Sequence, residues 1–248
     1  MTSRIRVASY NLRGLKDDAA AAAEVVRRLD PDVLLLQEIP RHPLSGARIA
    51  HFARRTGMVW SGRTRRLSGT GMMTSRRVIA TDSIDRKLPV APRANPRSYT
   101  AAQVRVPGGQ DITVVSLHLS LLADERLAHA RQILDELAAA PTLADGPFVV
   151  GGDLNESSYG PAWQVLGERL PLVTPDRPTF PAAGPKSWID AIFASQDLTV
   201  LPHADVPLER ALVSAASDHL PVWLDLQVAS GTPQEDDEVR AGFRGSRH

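Results

Sequence analysis

Apolar residues in this chain gather into short continuous runs, and most of the runs end on a knot of polar residues. Arg4 to Tyr10 reads as a strand, and Ala19 to Leu29 as a helix with Asp17 or Asp18 as its cap. Asp30-Pro31 marks a break, because proline disfavours helical geometry in the residue before it. Val33 to Leu36 is an unbroken apolar run that suits a strand buried on both faces. Leu44 to Thr56 reads as a helix closed by Gly57. Thr70 to Ser75, Val78 to Leu88, Ser98 to Val106 and Asp111 to Leu117 read as successive strands, with a turn at Pro107-Gly108-Gly109. Leu121 to Ala140 reads as a long helix stopped at Pro141, and Phe148 to Val150 as a short strand. A loop rich in Pro and Gly runs from Thr174 to Pro185, and Trp188 to Ala194 and Pro221 to Val228 are further strands.

This order mixes strand-helix units with runs of consecutive strands. Two sheets packed face to face, with helices outside, use so many strands best. The 248 residues fit one large domain. From Ser230 the apolar pattern gives way to Pro, Gly and charge, so a domain over 1–229 and a disordered tail over 230–248 are expected. The chain has no cysteine, which excludes disulfides, thiolate zinc sites and cysteine nucleophiles. The first residues lack the apolar core of a signal peptide, and no stretch reaches the length of a membrane span. A cytoplasmic monomer with no stable membrane insertion is the expectation.

Net charge is only +1, but it is unevenly spread. Between Arg54 and Gln110 stand twelve Arg and Lys against Asp82 and Asp85. The twelve are Arg54, Arg55, Arg63, Arg65, Arg66, Arg76, Arg77, Arg86, Lys87, Arg93, Arg97 and Arg105. Such a segment is either a solvated surface or a footprint for a polyanion.

The polar knots carry the chemistry. They are Tyr10-Asn11-Leu12-Arg13-Gly14, Gln37-Glu38, Ser116-Leu117-His118-Leu119, Gly151-Gly152-Asp153-Leu154-Asn155 and Ser217-Asp218-His219-Leu220-Pro221, with Asp190 in a sixth. Any one of them alone is an ordinary turn or cap. In series they place carboxylates, amides and imidazoles at strand ends, where a sheet holds them rigidly and solvent reaches one rim. Oxygen donors of this kind select magnesium or manganese, and such a metal acts on a phosphoryl oxygen as a Lewis acid. Asp153 and Asn155, two apart, suit one water. His118 and His219 suit contact with phosphate or proton transfer, and Asp190 suits the orientation of His219. There is no Gly-x-Ser-x-Gly elbow and no phosphate-cradling Gly-x-x-x-x-Gly-Lys loop, which argues against a serine hydrolase and a nucleotide triphosphatase. His42, His51, His129, His203 and His248 have no motif context and read as surface or structural.

The ordered series, spanning Ile5 to Leu226, resembles the endonuclease/exonuclease/phosphatase superfamily. The resemblance implies a four-layer α/β sandwich of two mixed sheets flanked by helices, with a metal-dependent phosphoesterase site. It implies Asn11 and Glu38 as the first metal and phosphate ligands, Asp218 on the metal side, and His118 and His219 as the two catalytic histidines. It further implies Asp153 and Asn155 as the water-activating and positioning pair, and Asp190 as the acid that orients histidine. Arg13 and Trp188 depart from the pattern, the first where abasic endonucleases often carry an acidic or amide residue, the second where many relatives carry Arg. His118 fits a nuclease-like or phosphatase-like branch better than abasic endonucleases that use Tyr there. The expected activity is a magnesium-dependent (manganese as the alternative) phosphodiesterase acting on DNA or RNA. The alternative is an enzyme for a phosphorylated small molecule or lipid headgroup, and a non-catalytic binding module stands behind both.

Overall fold

The computed structural model describes residues 2–41, 45–60, 69–144, 146–202 and 205–231. Among the described residues, eleven strands form two mixed sheets. In chain order the first strands are β1 (Ser3–Asn11), β2 (Val33–Gln37), β3 (Val59–Trp60) and β4 (Thr70–Thr74). They are followed by β5 (Ile79–Leu88), β6 (Arg97–Arg105), β7 (Ile112–His118) and β8 (Phe148–Asp153). The last three are β9 (Asp190–Ala194), β10 (Thr199–Val200) and β11 (Val222–Val228). One sheet has the order β10-β11-β1-β2-β4-β3 and the other β5-β6-β7-β8-β9. Each holds one parallel pair at its centre, β1 with β2 and β7 with β8, and the remaining pairs are antiparallel.

Alternation along the strands sorts side chains into three cores. Ile5, Val7, Val33 and Leu35 meet Val104, Val114, Val149 and Ile192 between the sheets. Ala8, Tyr10, Leu34 and Leu36 point the other way, onto helices α1 (Ala19–Leu29), α2 (Ser45–Thr56) and α5 (Arg210–Ala216). Val115, Leu117, Val150 and Phe193 pack outward onto α3 (Ala123–Ala138) and α4 (Pro161–Arg169). The four-layer sandwich expected from the sequence is the fold observed.

Strand ends agree with the sequence reading to within a residue or two at most positions. The cap of α1 is Asp18, whose Oδ1 accepts from the backbone N of Ala20 (2.8 Å) and Ala21 (3.1 Å). Two boundaries differ. β8 runs on through Gly151 and Gly152 to Asp153. Helix α3 starts at Ala123 instead of Leu121, because Leu122 N–H is taken by Ser120 Oγ (3.2 Å) and its backbone is extended. Helices α4 and α5 were not expected; at 9 and 7 residues each is too short to give a strong pattern, although Pro161 at the first turn was a usable start signal. The start of the second helix at Leu44 lies outside the described residues, as does nearly all of the expected tail, 232–248.

Between the sheets the filling turns from apolar to polar toward one end. Gln37 Nε2 donates to Ser9 Oγ (3.2 Å) and Ser116 Oγ (3.1 Å), and Ser116 Oγ donates to the Leu36 carbonyl (2.9 Å). All three side chains are buried, so their polar atoms need partners; Ser9 and Gln37 find each other within one sheet, and Ser116 joins them from the other. This bridge forms the floor beneath the polar knots.

Candidate active site

Register carries the knots to one rim. Asn11 ends β1 opposite Gln37, the last residue of β2. His118 ends β7 opposite Asp153, the last residue of β8, and Asp153 in turn faces Asp190, the first of β9. Gly152 permits this approach: its φ is 153°, and a Cβ there would stand 1.9 Å from the Leu117 carbonyl oxygen. Gly152 is therefore a packing requirement of the β7–β8 pair, while a Cβ at Gly151 would press on Ile192 (2.9 Å) and Leu35 (3.0 Å).

Asp153 is the hub of the site. Its Oδ2 accepts from Asn11 Nδ2 (2.9 Å) and lies 3.4 Å from His118 Nε2 and 3.8 Å from His219 Nε2. Its Oδ1 accepts from the Asn155 backbone N (2.9 Å). His219 Nδ1 donates to Asp190 Oδ2 (2.9 Å), which also accepts from Thr179 Oγ1 (2.6 Å). Ser217 Oγ donates to the Asn11 carbonyl (2.7 Å) and accepts from His219 N (3.3 Å), locking the last knot to the first. Five of the eight expected residues, Asn11, His118, Asp153, Asp190 and His219, are thus in direct contact and buried.

The other three stand around them. Asn155 Nδ2 donates to the Leu119 carbonyl (3.0 Å), which fixes its amide beside Asp153. Glu38 is half-buried, and its carbonyl accepts from Gly14 N (2.6 Å). Asp218 Oδ2 pairs with Arg13 Nε (3.2 Å), while Asp218 Oδ1 is buried and has no hydrogen-bond partner. Arg13, Leu15, Glu38 and Asn155 all have positive φ, so strained backbone concentrates at this rim.

The burial of so many charges shifts their proton affinities. Burial and the neighbouring Asp190 push Asp153 up to about 7, against the opposing pull of His219 and Asn11. Burial disfavours the charged form of His219, but Asp190, Asp153 and Asp218 outweigh it and raise its pKa to about 9. His118 is held well below its usual value by burial and by Arg97 and His219. One imidazole of the pair is therefore charged at neutral pH and the other is not.

Arg97 is a residue that motif reading did not single out. It opens β6, is 7% exposed, and donates from Nε to the Leu119 carbonyl (2.8 Å). Burial lowers its pKa, while Asp153 and Glu38 favour its charge. In the sequence it is one member of a basic run; its place beside His118 follows only from Ser98 pairing with His118 across β6 and β7. The rest of that run, as far as it is described, is dispersed. Arg77 pairs with Asp30 and Asp32, and Arg105 with Asp111, at the far end of the sheets. Arg54 and Arg55 close α2, and Arg86 and Lys87 lie on the edge strand β5. Arg63, Arg65 and Arg66 lie outside the described residues.

Asp153, Asp190 and His219 offer ligand atoms within 4.8 Å of one another, a group able to hold a metal ion. The orphaned oxygen of Asp218, beside this group in the chain, is a further donor in want of a partner.

Fold and site together define a phosphoric ester hydrolase. The chain belongs to the endonuclease/exonuclease/phosphatase family, whose profile matches residues 8–219, from β1 to His219 itself. No curated protein matches the sequence. Among solved structures it is similar to a family protein from Beutenbergia cavernae (23% identity, TM-score 0.65, covering 91% of this chain and 72% of that one). It is also similar to a mannosyl-6-phosphatase from Bacteroides thetaiotaomicron (18%, 0.70, 90% and 99%). A third is ANGEL2, a 2',3'-cyclic phosphatase in complex with adenosine-2',3'-vanadate (16%, 0.68, 92% and 96%). At these identities the likeness is one of fold.

Proposed function

We propose that this protein is a magnesium-dependent phosphodiesterase that cleaves nucleic acid. The observation that carries the reading is the convergence of Asn11, His118, Asp153, Asp190 and His219 on one buried hub, with Arg97 beside it. Asp153, with a pKa near 7, accepts a proton from an attacking water at neutral pH. Asn155 is fixed beside it and orients that water. His219, charged and braced by Asp190, faces the phosphoryl group and supplies positive charge or a proton to the departing oxygen. His118, neutral, hydrogen-bonds the phosphate, and Arg97 offsets its charge. Glu38, Asp218 and the amide oxygen of Asn11 would supply the oxygen ligands for magnesium, with manganese the alternative. Magnesium held there would contribute Lewis-acid stabilisation of charge on the phosphoryl oxygens.

A second reading has its own support. Dispersal of the described arginines leaves little continuous cationic surface beside the site, which favours a small phosphoester over a long duplex. The mannosyl-6-phosphatase shares the fold. The test is hydrolysis with magnesium of single- and double-stranded DNA, RNA, sugar and inositol phosphates, sphingomyelin and a chromogenic diester, wild type beside Asp153→Ala. Asp153-dependent cleavage of a polynucleotide supports the first reading. Cleavage confined to small or lipid phosphates establishes the second.

Among the described residues no helix is long and apolar enough to cross a membrane.

A further inference from the structure

Leu121, Leu122 and Tyr159 are 67%, 53% and 88% exposed, on the loops that follow the strands ending at His118 and Asp153. Leu121 and Leu122 follow β7, which delivers His118; Tyr159 follows β8, which delivers Asp153. Chain length alone keeps Leu121 within about 11 Å of His118, and Tyr159 within about 14 Å of Asn155.

The loops that carry them are clamped. Arg126 donates from Nη1 to the carbonyls of Ser120 (3.3 Å) and Leu121 (2.7 Å), and from Nε to Glu156 Oε2 (2.8 Å). Glu125 accepts from Ser120 Oγ (2.6 Å) and from Ala91 N (2.7 Å), which ties in the loop between β5 and β6. Glu156 Oε1 accepts from Trp163 N (2.8 Å), and Gly160 packs so closely on Glu156 that a Cβ would stand 2.3 Å from its Cδ. The turn bearing Tyr159 is closed by Gly160 N donating to Ser157 O (2.8 Å). A Glu-Arg pair in the first turn of α3 thus holds three rim loops as one lip.

Folding gives no reason to spend this rigidity on holding two leucines and a tyrosine in water. Tyr159 is exposed while the other two tyrosines, Tyr10 and Tyr99, are wholly buried. The exposed charges on these loops and the first turn of α3 are one cation, Arg93, and one anion, Asp124. Arg41, from the loop after β2, adds a further exposed cation, its Nη1 donating to the Pro96 carbonyl (3.3 Å). An anionic bilayer is drawn by a collar of roughly four to eight basic residues, more than the described residues of the lip supply. An aromatic ring and aliphatic side chains presented by adjoining loops suit the face of a base, and only an unpaired base presents one. Held one or two nucleotides from the reacting phosphate, such a base would supply recognition that the scattered arginines do not.

We propose that Leu121, Leu122 and Tyr159 hold an unpaired base beside the scissile phosphate, making single-stranded nucleic acid the substrate class. This rests on the nucleic-acid reading above. The test measures kcat and KM with magnesium on a short single strand, on the same strand with abasic residues, and on its duplex. For the wild type, KM is expected about 10-fold higher on the abasic strand, with kcat within about twofold. Tyr159→Ala should raise KM on the base-bearing strand by the same factor and leave the abasic strand unchanged, and Tyr159→Phe should restore it. Leu121→Asn should act in the same direction. Equal KM on both strands, insensitive to Tyr159→Ala, would overturn the proposal and leave the nuclease reading intact. Hydrolysis of a methyl phosphodiester but of no oligonucleotide would remove both. Binding to phosphatidylcholine–phosphatidylserine vesicles that Leu121→Asp abolishes would overturn it by assigning the lip to a lipid surface.

Discussion

The two ends of the sandwich bury charge in opposite ways. At the far end Asp225, 1% exposed, accepts from Arg4 Nη2 (2.7 Å), Arg6 Nε (2.9 Å) and Arg6 Nη2 (2.9 Å). Asp32 accepts from Arg6 N (2.8 Å), Ser75 Oγ (3.0 Å) and Arg77 Nε (2.5 Å). Cation matches anion: burial works against the charge of Asp225, but Arg6 and Arg4 outweigh it and hold the carboxyl below its usual range. At the rim, acids are buried against acids and histidines. Asp153 rises to about 7, His219 to about 9, and Asp218 Oδ1 has no partner. The far end has a cleft of about 540 Å³ lined by these paired charges. Unbalanced electrostatics mark the rim as the reactive end, because groups whose proton affinities are moved toward neutrality are the ones able to exchange protons in a reaction.

If the contrast holds, removing the hub should affect turnover and leave stability alone. Asp153→Ala is expected to lower kcat by about 10³-fold or more on whichever substrate the protein cleaves. Its thermal midpoint should stay level or rise, since a carboxylate buried beside another acid is removed. A fall of several degrees would mean that the rim is held together by its charges, as the far end is.

The reverse is expected of Asp225→Asn. Losing the acid leaves Arg6 short of its charge partner, at a cost of about 3 kcal/mol, or roughly 6–12 °C in midpoint for a chain of this size. Turnover should be unchanged at a temperature where both proteins are folded. The pH dependence has a definite sign. Because the folded-state pKa of Asp225 is depressed, its contribution is present above the ordinary carboxylate value of 3.8 and fades as pH falls through the lower, folded one. The variant should therefore differ most from wild type near neutrality and least in acid, as read from melting midpoints across pH.

Asp190→Asn probes the rim more gently. The introduced amide keeps the shape of the carboxylate between Thr179 and the His219 ring, but the charge that supports the protonated imidazole is gone. Turnover should fall about 10- to 100-fold, with magnesium affinity changed less than twofold. A large loss of metal affinity instead would put Asp190 among the metal ligands, as its closeness to Asp153 and His219 allows.

Legibility in the sequence followed the same division. Asn11, His118, Asp153 and His219 stand in or beside strand ends, so a polar knot after an apolar run marked each of them. Their convergence was not written locally: it depends on β7 lying parallel to β8 and on β1 facing β8 across the sheets. Arg97 escaped because a charge at the head of a strand has no motif, and its neighbour His118 is reached only through pairing. Leu121 and Leu122 read as the start of a helix, because the bonds that hold them out of it come from Ser120 and Arg126 side chains. The basic segment was the reverse case, conspicuous in sequence and, in its described part, scattered in space.

That scattering gives the smallest expected effect. Arg54 lies near the end of α2, Arg76 in the turn after β4, and Arg105 at the end of β6 opposite to Arg97. An exposed charge more than a Debye length from a phosphate, about 8 Å at physiological salt, contributes little to holding it. Replacing Arg54, Arg76 and Arg105 together with Gln should leave KM within about twofold and should not flatten its dependence on salt. Arg105 loses its pairing with Asp111 in the process, a half-buried pair at the surface worth about 1 kcal/mol, so the protein should remain folded. A several-fold rise in KM at low salt that disappears at high salt would show these arginines touching substrate. The far end would then be a second anion-binding surface, and the division between a paired structural end and an unpaired reactive one would fail.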